Sequence, residues 1–75
     1  MKIEVEIDDD SAMYVNRFIE RANLQINPDH TSHGTLNFEL LARMLLEDVA
    51  LSIRRPGSWE GANMSQVLAS HGYEV

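Results

Sequence analysis

The longest unbroken helical pattern in the chain runs from Thr35 to Arg55, TLNFELLARMLLEDVALSIRR. At about 100° per residue, Phe38, Ala42, Leu45, Leu46, Val49 and Ile53 fall on one broad apolar face. Leu40, Met44 and Leu51 form a second, narrower face, and the charged residues Glu39, Arg43, Glu47 and Arg54 occupy a strip between the two. The alternating signs of Glu39, Arg43 and Glu47 at i,i+4 spacing describe a solvated strip. A surface helix buries one stripe, so a helix apolar on two sides is expected to be sandwiched, inside its own fold or against another subunit. The pattern assigns the broad face to neighbouring helices of the same chain and Leu40, Met44 and Leu51 to a second copy.

The rest of the chain is read around this helix. Residues 2–7 alternate strictly, Ile3, Val5 and Ile7 against Lys2, Glu4 and Glu6, which is the period of a half-buried strand. No second stretch has this period, so the strand needs a partner from another copy or another protein, unless its apolar side chains merely pack on the helices. Asp8, Asp9, Asp10 and Ser11 then offer either clustered carboxylates for a hard cation or the cap and first turn of a helix over 11–24. The cluster lacks the spacing of a calcium loop, which favours capping. Within that helix Ala12, Val15, Phe18, Ile19 and Ala22 make one apolar stripe.

Residues 25–34, QINPDHTSHG, read as a loop before a helix over 36–54 opened by Thr35. Asp29, His30 and His33, with the distant His71, suggest a metal or a pH-responsive surface, but loop spacing fixes no ligand geometry, so a plain polar loop is the simpler reading. Pro56 and Gly57 force a turn over 55–58, Ser58 is placed as the cap of a third helix over 59–70, and Gly72 as the residue that stops it, with Tyr73 packing back on Leu68. Trp59, beside Arg54 and Arg55, is either a plug holding the third helix on the central one or a binding anchor.

Composition narrows the function classes. The chain has 75 residues, a single domain by length, and buries a small enough fraction of its surface to gain from association. It has no cysteine, which removes thiolate chemistry and disulfides. No apolar run approaches the roughly 20 residues that span a bilayer, and no signal-peptide pattern opens the chain, so a cytoplasmic protein without a membrane partner is expected. The net charge is −6, and nothing basic exceeds the Arg54–Arg55 pair, so nucleic acid is a poor default partner. No phosphate loop, Ser/His/Asp set or carboxylate pair in a catalytic context appears, and neither an enzyme nor a cofactor is expected.

The order KIEVEIDDDS, helix, then a longer helix opened by Thr35 resembles the ribbon-helix-helix family over residues 2–55. That resemblance implies an intertwined dimer whose two strands, one from each chain, form an antiparallel ribbon. It also implies that Lys2, Glu4 and Glu6 face the DNA major groove. Two of those three are acids, the inter-helix loop is long, and the third helix is extra. The expected fold is therefore mainly α, a small α+β domain with one N-terminal strand paired across a dimer and three helices. The expected function is a non-catalytic, acidic protein-binding module of the phage or plasmid inhibitor or adaptor type. Its expected partners are itself and an unidentified basic or nucleic-acid-binding protein. The alternative is a ribbon-helix-helix regulator or antitoxin. Candidate partner-binding residues are Glu4, Glu6, Arg54, Arg55 and Trp59; candidate dimer residues are Ile3, Val5, Ile7, Leu40, Met44 and Leu51.

Overall fold

A computed structural model describes residues 1–25 and 31–74. Its regular elements are three helices, α1 (Asp9–Leu24), α2 (Phe38–Arg54) and α3 (Trp59–Ser70). By contact the chain divides into two compact units, Met1–Leu40 and Leu41–Val75. The described residues contain no strand, which corrects the expected fold: residues 2–7 carry no regular secondary structure, and the class is all α. Alternation tells which side chains would share a side of a strand, but a strand exists only when a neighbour accepts its backbone hydrogen bonds. With no such neighbour, Ile3, Val5 and Ile7 are all exposed. The paired ribbon goes with the strand.

The helix ends are set by local hydrogen bonds. Asp8, in extended backbone, accepts from the Ser11 amide at 2.9 Å, and α1 starts two residues earlier than the sequence pattern placed it. Asn37, not Thr35, caps α2, its Oδ1 accepting from the Leu40 amide at 2.8 Å. Ser58 caps α3 as expected, its Oγ accepting from the Gly61 amide at 3.1 Å. At the far end Gly72, at φ 91°, lets its own N–H reach the Ala69 carbonyl at 2.9 Å and the Tyr73 N–H reach the Leu68 carbonyl at 3.0 Å. Those two bonds close the helix in the manner a left-handed glycine permits. Tyr73 thus returns to Leu68 through its backbone, while its ring stays exposed.

Among the described residues of the first unit, Ile19 is the one buried large apolar side chain, 8% exposed. Ala12, Val15 and Ala22 flank it as the half-buried stripe of α1, whereas Phe18, expected on that stripe, is exposed. The chain returning towards α2 is held by Asn23. Its Nδ2 donates to the Leu36 carbonyl at 3.0 Å and its Oδ1 accepts from the Leu36 amide at 2.8 Å, so one amide side chain satisfies both backbone groups of a single residue.

In the second unit, α3 lies against the Leu51 side of α2. A Cβ built at Gly61 would stand 2.7 Å from the Leu51 carbonyl oxygen and 2.8 Å from its carbon. Gly61 is buried, and Met64, Ser65 and Leu68 continue its face as half-buried positions. The absence of a side chain at Gly61 is what lets the two backbones approach.

Two changes check this packing. Gly61→Ala gains about 1 kcal/mol of helix propensity but drives a methyl into backbone that cannot swing aside, so a net loss of about 1–2 kcal/mol is expected. Thermal unfolding followed by circular dichroism should show a clearly lower Tm, while Gly57→Ala, with nothing within 4 Å of the built Cβ, should leave it within about 0.5 kcal/mol of wild type. Asn23→Asp keeps the acceptor for the Leu36 amide but sets a carboxylate oxygen against the Leu36 carbonyl, for an expected cost of about 1–3 kcal/mol. That carboxyl needs its proton in order to donate, so its folded pKa is raised, and the loss should shrink as pH falls; a pH-independent loss would contradict the geometry.

Candidate functional site

The residues with the strongest claim to function lie on the surface and form no enclosed site. Asp8 shows what the acidic cluster does. Both carboxylate oxygens are engaged by Ser11, whose amide donates at 2.9 Å and whose hydroxyl donates at 2.7 Å. The Ser11 hydroxyl bond, followed by the Ser11 backbone bond, holds the Asp8 carboxyl below its ordinary value. Asp9 and Asp10 follow in the first turn of α1, at the positive end of its dipole. This is the capping arrangement, with the three carboxylates spread along a helix start.

Of the histidines, His33 pairs its Nδ1 with the Ser32 hydroxyl, and His71 is the C-cap of α3, its backbone N–H reaching the Leu68 carbonyl at 3.0 Å. Asp29 and His30 lie outside the described residues. Among the described residues no three of His, Asp and Glu converge in a way that would hold a metal ion. A shallow, open depression of about 430 Å³ lies beside Glu20, Asn23 and Leu24, but its amide is already committed to Leu36. Among the described residues no helix is long and apolar enough to cross a membrane.

The candidate partner-binding residues Glu4, Glu6, Arg54, Arg55 and Trp59 are all exposed. Glu4 and Glu6 sit in residues 1–8 among the exposed Ile3, Val5 and Ile7, so that segment presents acidic and apolar side chains in alternation. Trp59 is 76% exposed at the first position of α3. The plug reading for its ring therefore fails; its backbone carbonyl, by contrast, is tied to Asn63 Nδ2 at 2.7 Å.

On α2 the candidate dimer residues Leu40, Met44 and Leu51 are half-buried, and the Leu51 side is the one α3 approaches. Phe38, Leu45, Leu46 and Ile53, assigned to the chain's own core from the pattern, are exposed instead. Apart from the half-buried Val49, the large side chains of the broad face are thus not covered as expected. Sequence reasoning also missed a surface pair on α1: Tyr14 and Phe18, four residues apart and both exposed, with the Arg17 guanidinium 5.6 Å from the Tyr14 ring centre. The signal was present in the i,i+3 and i,i+4 spacing of Tyr14, Arg17 and Phe18.

Compared with protein-family models, with curated proteins and with solved structures, the chain matches none.

The Asp8 cap makes a pH-dependent prediction. A carboxyl whose folded pKa is depressed contributes stability above its unfolded value and loses it as pH falls through the folded one. Amide exchange at Ser11 and Ala12, whose N–H groups bond to the Asp8 carboxylate and carbonyl, should therefore stay protected into the acid range and lose that protection only below the ordinary carboxylate range. Asp8→Ala should exchange fast at these amides at every pH; a variant as protected as wild type would show that Asp8 does not hold the helix start.

Proposed function

We propose that the chain is a small, acidic, non-catalytic protein-binding module, of the inhibitor or adaptor type that phages and plasmids encode, acting in the cytoplasm on a basic or nucleic-acid-binding partner. The observation that carries this reading is the N-terminal stretch, where exposed Glu4 and Glu6 interleave with exposed Ile3, Val5 and Ile7. Residues 1–10 hold five acids and one lysine in a chain of net charge −6, so most of the excess charge is concentrated there. Acidic side chains speed encounter with a basic surface and set its salt dependence, and apolar side chains between them supply the desolvated contact that slows release. Trp59 beside Arg54 and Arg55 offers a second, aromatic anchor of the kind enriched at interfaces. The absence of cysteine accords with a reducing compartment.

The regulator alternative rested on the order strand, helix, helix, and residues 2–7 form no strand. Glu4, Glu6 and the net charge of −6 also weigh against contact with the phosphates of duplex DNA.

Affinity capture on immobilised wild-type chain and on a Glu4→Gln/Glu6→Gln variant tests the proposal, with the retained proteins identified and eluted by a salt gradient. The expected outcome is a basic protein whose affinity for the variant is about 3- to 10-fold weaker at low salt, the difference closing as salt rises. Equal retention by both forms, or a mobility shift of duplex DNA by the wild-type chain alone, would refute it.

A further inference from the structure

Along α2, Phe38, Ala42, Leu45, Leu46, Val49 and Ile53 make a continuous stripe about 100° wide. Phe38, Leu45, Leu46 and Ile53 are exposed, from 38% at Phe38 to 77% at Ile53, and Val49 is half-buried. Together they present roughly 400 Å² of apolar side chain, the scale at which an exposed patch marks an interaction surface. We infer that this face is occupied by the same face of a second copy, the two α2 helices packing antiparallel about a two-fold axis between Leu45 and Leu46. This goes beyond the partner-binding reading above and does not depend on it.

The argument for a second copy is self-complementarity. A two-fold interface must bring residue i against j and j against i. Inverting the stripe about its midpoint returns the same stripe: Phe38 falls opposite Ile53, Ala42 opposite Val49, and Leu45 opposite Leu46. Each layer has a workable volume. Ala42 faces a β-branched valine where the helices come closest, while the aromatic Phe38 meets Ile53 at the outer layers, and four leucines close the centre.

With the flanking polar side chains added, the covered area approaches the roughly 600–800 Å² per partner that stable interfaces use. Leu40, Met44 and Leu51 take no part, since they lie half-buried outside the stripe, with α3 close at Leu51.

The chain contains no cysteine, which makes the register directly testable. Sedimentation of the wild-type chain at about 100 µM should give a dimer with a Kd in the micromolar range or tighter. Leu46→Glu should raise that Kd by about 100-fold or more, because it sets two carboxylates together at the two-fold axis. Under mild oxidation Leu46→Cys should cross-link to itself efficiently. Ile53→Cys should not, since its two copies would lie about 22 Å apart along the axes, whereas a mixture of Phe38→Cys and Ile53→Cys chains should form the mixed disulfide. A wild-type monomer at that concentration overturns the proposal and leaves the face to a different protein. Self-cross-linking of Ile53→Cys without that of Leu46→Cys overturns it in favour of a parallel pair. A dimer untouched by Leu46→Glu overturns it in favour of another surface. Should Leu46→Glu unfold, the cysteine variants decide the matter alone, because Ile53 and Leu46 are both exposed in the folded chain.

Discussion

The close approach of the Gly61 backbone to the Leu51 carbonyl is the constraint from which the organisation of α2 follows. Two helices normally meet through interlocking side chains at about 8–10 Å between axes. Where one of them offers a bare Cα, the backbones draw nearer, and the neighbouring side chains on that side close around the contact. Gly61 therefore selects the narrow face of α2 for α3, although the broad face carries more apolar area. The choice is made by fit rather than by hydrophobic surface, since dispersion and exclusion of water both reward contact only where atoms can touch. On the other side Phe38, Leu45, Leu46 and Ile53 are consequently left exposed.

Each helix is also bounded without reference to packing. Asp8, Asn37 and Ser58 supply side-chain oxygens to first-turn amides, and Gly72 turns the chain back at the end of α3. Short helices with so little buried surface are marginal in water, so caps worth a fraction of a kcal/mol to a few kcal/mol carry proportionally more weight here than in a large core. Asn23 does the equivalent for the connection between α1 and α2 by satisfying the Leu36 amide and carbonyl together. Local hydrogen bonding defines the elements, and packing then decides which of their faces are covered.

That division explains what the amino-acid sequence discloses. Three helices were legible, as were the Ser58 cap and the Gly72 stop, because capping and periodicity are written in residues adjacent in the chain. Residues 2–7 were misread because a period of two describes the side chains, whereas a strand depends on a second edge found elsewhere. The broad face of α2 was misassigned to the chain's own core because counting apolar side chains cannot reveal a close backbone approach. Gly61 was the available clue, a glycine inside a helix where alanine would be about 1 kcal/mol more favourable, and such a residue usually has a packing reason. The exposure of Glu4, Glu6, Arg54 and Arg55 agrees with their charge, but nothing in the sequence distinguished a buried Trp59 from an exposed one, since a tryptophan serves core and interface equally well.

Charge distribution bears on whether an acidic chain can self-associate and also recruit a basic protein. Two copies together carry twice the net charge of −6, and their mutual repulsion opposes any dimer. The excess is unevenly placed, however. Residues 1–10 hold five acids against Lys2, whereas α2 holds Glu39, Glu47 and Asp48 against Arg43 and Arg54 and is close to neutral. Charges more than about 8 Å from a contact are largely screened at physiological ionic strength, so the local balance of a surface governs what it tolerates more than the total does. A near-neutral helix with an apolar stripe suits a like partner, because its interaction energy comes from excluded water, which is indifferent to the sign of distant charge. A strongly acidic segment suits only an unlike one, since bringing two such segments together places like charges within a Debye length. The two proposed modes of association thus differ in composition, the near-neutral α2 stripe suiting a like partner and the acidic N-terminal stretch an unlike one.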